Sequence, residues 1–107
     1  MSLTKRKADA TVAARASAAE EHAARVLTEQ VRYHFNPDAR DVLPATFRIV
    51  WNGLSERERQ MLNRRLGLFG VGKRPLAPIA HEFTVSPSRV TQITKAAMRK
   101  FLGAGSG

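Results

Sequence analysis

The sequence predicts an all-α protein of about five helices, and three observations carry that expectation. No segment alternates apolar and polar residues as a half-buried strand does. Residues 11–35 are rich in Ala, Glu, Arg and Gln and contain no Gly or Pro, a helix-forming composition. The stretch Arg74–Leu102 (RPLAPIAHEFTVSPSRVTQITKAAMRKFL) places its apolar residues where two short helices joined by a tight turn need them.

The 107 residues are enough for one small domain with an appended element. Residues 1–10, with Lys5, Arg6 and Lys7, read as a basic flexible arm. Residues 11–42 read as a helical extension and linker. Along it Val12, Ala16, Ala19, Ala23, Val26, Gln30 and Tyr33 recur at spacings of four and three, and Leu27, Val31 and Phe35 form a stronger stripe near its end. One expectation is a surface helix whose final turns pack on the domain. The sharper alternative is a homodimer through this helix, although alanine seams are weak for coiled coils, which favour Leu, Ile or Val. Asn36-Pro37-Asp38 stops the helix.

The domain proper is expected over residues 43–102. A short helix starts near Pro44, with Leu43, Phe47, Val50, Trp51 and Leu54 at core spacing, and Asn52-Gly53 ends it. Ser55-Glu-Arg-Glu58 is a capping box that opens a helix turning Met61, Leu62 and Leu66 inward, and Gly67 closes it. Residues 68–75 are glycine-containing but match no phosphate-loop spacing, so they read as a connector. Leu76, Ile79, Ala80 and Phe83 then make one amphipathic face, with Pro78 expected to delay that helix to about Ala77. Thr84 occupies a turn position where positive φ is common and threonine tolerates it poorly. Ser86 is an N-cap and Pro87 a first helical residue, and Val90, Ile93, Ala97 and Phe101 form the inner face of the last helix. Residues 103–107 read as a flexible tail.

Charge points to a polyanion. The chain carries a formal net charge of +9, of which +2 falls in residues 1–50 and +7 in residues 51–107. The outer face of the last helix carries Ser88, Arg89, Thr91, Gln92, Lys95 and Arg99, groups of the kind that read base edges and phosphates. No apolar run approaches the roughly 20 residues of a membrane span, so no membrane partner is expected. The absence of cysteine excludes disulfides and thiolate chemistry. His22, His34 and His81 are dispersed, and no nucleophile–base or metal-ligand spacing is present, so neither an enzyme nor a cofactor is expected.

These residues also carry a resemblance. Leu54-Ser-Glu-Arg-Glu-Arg59, Arg64-Arg-Leu-Gly-Leu68, Gly70-Val-Gly72 and the helix-turn-helix from Leu76 to Phe101 occur in the order and spacing of the promoter-recognition domain (domain four) of bacterial sigma factors. The resemblance covers about half the chain, from Trp51 to Leu102. It implies a DNA-binding transcription regulator, cytoplasmic and nucleoid-associated, whose recognition helix (residues 87–101) enters the major groove of double-stranded DNA. By position it implies phosphate contacts at Arg57 and Arg65, a recognition-helix start at Ser86, base contact at Gln92, and activator contacts at Arg99 and Lys100. Ser88, Arg89, Thr91 and Lys95 complete the expected DNA-facing set. The Arg-Glu pair that reads bases in primary sigma factors is replaced here by Pro87-Ser88, which relaxes or redirects sequence preference. Residues 1–50 show no strand-melting region, so the chain, if complete, is expected to be stand-alone and unable to open a promoter. The alternative is a protein–protein module that binds the RNA polymerase flap or an anti-sigma partner. The family's flap groove would fall on Trp51, Leu54, Met61, Leu62 and Leu68, residues the small core also needs.

Overall fold

The computed structural model describes the backbone of residues 2–70 and 72–104 and the side chains of residues 18–70 and 72–102. Among these there are five helices and no strand: α1 (Ser2–His34), α2 (Pro44–Gly53), α3 (Glu56–Leu66), α4 (Leu76–Phe83) and α5 (Pro87–Ala104). The all-α class and the helix count agree with the sequence. Helix α1 begins at Ser2, ahead of the start expected near Thr11, and the seam through Val12 and Ala16 lies outside the described side chains.

The inward face of α1 is Ala23, Ala24, Leu27 and Val31, each nearly inaccessible to solvent. The larger side chains of the Leu27–Val31–Phe35 stripe decide which face turns in, since burial scales with apolar area. Ala19 and Tyr33, expected on the alternating seam, are exposed. Among the described residues of α1, Leu27 and Val31 are thus spent in the chain's own core.

The linker after α1 is fastened along it. The buried Thr28 hydroxyl donates to the Ala24 carbonyl (2.8 Å) and accepts from the Val42 N–H (2.9 Å). Arg32 donates to the Ala39 carbonyl (2.8 Å) and pairs with Asp41 (2.6 Å). Arg48 of α2 forms a two-toothed pair with Glu20 of α1, at 2.5 and 2.7 Å. Leu43, expected in the core, is instead the residue preceding α2 and is 60% exposed. Its position there lets its carbonyl accept from the Phe47 N–H (2.8 Å) while its side chain points away.

Two apolar clusters hold the helices. In the larger, Phe47 of α2 stacks on Phe101 of α5 (centroids 5.4 Å) and on Trp51 (5.4 Å), with Phe69 tilted against both Phe47 and Trp51. The smaller joins Met61 of α3, Ile79 and Ala80 of α4 and Val90 of α5, with Leu76, Phe83, Val85 and Ile93 packed on it. Helix α5 contributes to both: Val90 to the smaller, and Ala97, Met98 and Phe101 to the larger.

The local signals between helices are realised. Ser55 and Glu58 form a reciprocal capping box, and Gly67 closes α3 at φ 66°, ψ 46°. Pro78 does not delay α4, which starts at Leu76. It stands in the first turn, where N–H groups have no intrahelical partner to lose. Thr84 ends α4 in the left-handed region (φ 56°, ψ 48°), the one non-glycine residue with positive φ among those described. The Val85 N–H reaches the Ala80 carbonyl (3.0 Å) and the Thr84 N–H the His81 carbonyl (3.2 Å), the paired bonds of a Schellman motif. Those bonds, with Val85 packed against Ala80, hold threonine in a conformation that costs about 1–2 kcal/mol.

Two consequences are measurable by denaturant unfolding. Thr84→Gly stabilises the protein by about 0.5–1 kcal/mol, because strain relief exceeds the extra backbone entropy of glycine. Phe101→Ala costs about 3–5 kcal/mol, since the ring is fully buried against Phe47.

Candidate nucleic-acid interface

Helix α5 has a buried face and an opposite polar one. Val90, Thr94, Ala97, Met98 and Phe101 are buried, whereas Ser88, Arg89, Gln92, Lys95 and Arg99 are exposed and Thr91 is half-buried. Thr94 is satisfied internally by the Val90 carbonyl (2.8 Å), so it belongs to the core side. The start of α5 is fixed by Ser86, whose hydroxyl oxygen accepts from the Arg89 N–H (3.1 Å) and whose carbonyl accepts from the Val90 N–H (3.2 Å). With its oxygen occupied as a cap, Ser86 keeps its hydroxyl proton free to donate to an anion. Pro87 and Ser88 follow, both exposed, with no guanidinium or carboxylate at either position.

A crevice opens on each flank of this polar face. One, of about 300 Å³, lies between α3 and α5 and is lined by Ser55, Arg57, Glu58, Arg89 and Gln92 among others. It brings three expected site residues together. Arg57 is exposed and makes no ion pair among the described residues. Arg89 donates to the Gln92 side-chain oxygen (3.3 Å), leaving the Gln92 amide N–H groups turned outward. The carboxylate of Glu58 is the single acid there, and its charge is answered by the Ser55 N–H (2.9 Å) and by Lys100 (3.1 Å). The Ser55 N–H first, then Lys100, holds its pKa below the usual glutamate value.

The other crevice, of about 320 Å³, gathers Arg65, Thr91 and Lys95. Arg65 is half-buried and donates to the Arg74 carbonyl (3.0 Å), so it also fastens the 68–75 loop to α3. Burial first, then the positive charges of Lys95 and Arg65, keeps His34 below the usual imidazole range.

Arg99 and Lys100 each have a partner inside the chain. The Arg99 guanidinium lies 5.2 Å from the centre of the Phe35 ring, and Lys100 pairs with Glu58. Sequence reasoning missed Lys73, which lines the second crevice, and Arg64, which clamps α3 to α4. Arg64 pairs with Glu82 (2.8 Å) and lies over the Phe83 ring (5.3 Å). Arg64 sits beside Arg65 in sequence, and only the direction of each side chain separates a clamp from a crevice-lining cation.

Residues 52–101 match the family model described as Sigma-70, region 4. No curated protein and no solved structure matches the chain.

Glu58 gives this face a pH dependence. Its folded pKa is depressed, so its contribution to stability is complete above the ordinary glutamate range and is lost as pH falls through the lowered value. Glu58→Gln therefore destabilises the protein by about 1 kcal/mol near neutrality, from the weakened cap, and by less in acid. Unfolding measured at both pH values reads the difference.

Proposed function

Because residues 52–101 form a sigma-70 region 4 domain, we propose that the chain is a DNA-binding transcription regulator that lays α5 in the major groove. The observation that carries this reading is the division of α5. Its buried face is anchored in two cores, and its exposed face presents hydrogen-bonding and cationic groups with no acid among them. Ser88, Arg89 and Gln92 face base edges, and Thr91 and Lys95 face bases or the adjacent backbone. Arg57 contacts a phosphate beside Arg89, and Ser86 donates to the backbone at the helix start. Arg65 divides its donors between the Arg74 carbonyl and a phosphate, which a guanidinium with five N–H groups allows.

Gln92 reads adenine with Arg89 beside it. Bidentate recognition uses both its amide oxygen and its N–H₂ group, and in the free protein the oxygen is held by Arg89. That oxygen has two lone pairs and accepts from Arg89 and the base together, while the other Arg89 donors reach a phosphate or a guanine. With Pro87-Ser88 at the helix start, discrimination rests mainly on this pair and on Lys95.

A second reading, a module that binds RNA polymerase, is favoured by one observation. Leu54, Met61, Leu62 and Leu68 are buried and form no open groove, yet Phe69 is 36% exposed while packed on the half-buried Trp51. Of the expected groove only Trp51 is left partly open, and Phe69, outside that set, extends it toward a protein partner.

Fluorescence anisotropy with duplex DNA tests the first reading. Affinity falls steeply with salt, because phosphate contacts release counterions. Arg57→Ala weakens binding about equally on all sequences and reduces the salt slope by about 1. Gln92→Ala costs about 1–3 kcal/mol on preferred sites and relaxes the preference at one position. Absence of binding to duplex fragments at low salt, together with capture of core polymerase that Phe69→Glu abolishes, would overturn the DNA reading in favour of the second.

A further inference from the structure

Five cations outside the second crevice are matched by acids. Arg32 pairs with Asp41, Arg48 with Glu20, Arg64 and Arg74 with Glu82, and Lys100 with Glu58. The second crevice instead gathers three cations, Arg65, Lys73 and Lys95, around one space. None of the three has a carboxylate partner among the described residues, and no acidic side chain lines the space they share. Tyr33 and His34, from the end of α1, close one side of it. Like charges gathered around one cavity repel, and the arrangement is relieved by an anion brought from outside.

We propose that the end of α1 and Lys73 complete a binding crevice for a backbone phosphate of the duplex held by α5. This inference rests on the DNA-binding reading and extends the interface to the end of α1, which lies outside the matched segment 52–101. The crevice lies on the flank of α5 that carries Thr91 and Lys95, so a strand crossing the polar face of that helix passes its mouth. Arg65 is held in place by its bond to the Arg74 carbonyl, and its remaining N–H groups are available to the incoming oxygen atoms. Lys73 and Lys95 supply point charges. His34 supplies a ring N–H, and the groups facing it are Tyr33 on its own helix, Arg65 from α3, Lys73 from the loop and Lys95 from α5. Helix α4 contributes only the uncharged Leu76.

A phosphate among these groups reverses the field at His34. Burial first, and then the unbound cations, disfavour the imidazolium, whereas a bound anion favours it, so binding takes up a proton and strengthens as pH falls. A helix end that served only to pack would not produce this signature.

The test uses the full chain and a duplex oligonucleotide, with affinity followed against salt and against pH between about 8 and 6. Lys73→Ala is expected to lower the salt slope by about 1 and to weaken binding at fixed low salt by about fivefold, equally on all sequences. His34→Gln is expected to flatten the rise in affinity on acidification, and His81→Gln to leave that rise intact. Lys73 and His34 are both exposed, so the variants keep the fold. Wild-type binding with a salt slope and a pH profile that both variants share would overturn this inference and leave the DNA-binding reading standing. No duplex binding by the wild type would remove that reading, and this inference with it.

Discussion

The seam from Val90 to Phe101 along α5 is the constraint on which the rest of the structure depends. One end of it is gripped by α3 and α4 through Met61, Ile79 and Ala80, and the other by α1 and α2 through Leu27 and Phe47. A helix held at one end only would pivot. Held at both, it presents Ser88, Arg89, Gln92 and Lys95 in a fixed orientation. The ring stack of Phe47 on Phe101 is the point where the far end is locked.

Charge is distributed to the same end. Ion pairs between elements tie α1 to α2, α3 to α4, and α3 to α5. These pairs are largely exposed and individually contribute little to stability. One of them neutralises Glu58, the single acid lining the crevice between α3 and α5. On the flanks of α5, Arg57, Arg65, Lys73, Arg89 and Lys95 remain without an acidic partner among the described residues.

The parts legible in the sequence were those set by neighbouring residues. The Ser55–Glu58 box, the Gly67 stop, the Ser86 cap and the inward periodicity of α5 all depend on spacings of three or four, and all appear where expected. Thr84 was legible as a conflict between residue type and turn geometry, and the structure resolves it by strain. What escaped was set by tertiary route. Leu43 and Tyr33 fit an apolar spacing but are turned outward: Leu27 and Val31 set the buried face of α1, and Leu43 precedes the first turn of α2. Glu58 and Lys100 are 42 residues apart, and nothing local marks them as partners. The role of Lys73 depends on where the 68–75 loop is led, and that is fixed by backbone bonds such as Arg74 N–H to the Arg64 carbonyl.

The fastening of α1 over α5 has an evolutionary corollary. A helix-turn-helix is commonly a portable unit, able to be spliced beside new neighbours with its reading surface intact. Here Ala97, Met98 and Phe101 lie in a cluster shared with Leu27, Val31 and Phe47, all of which precede the segment that bears the family pattern. Severed from them, the reading helix would carry an apolar stripe into water and lose the support that aims it. Any recombination that moves this domain must carry the preceding residues with it, so the unit of inheritance is longer than the unit of resemblance.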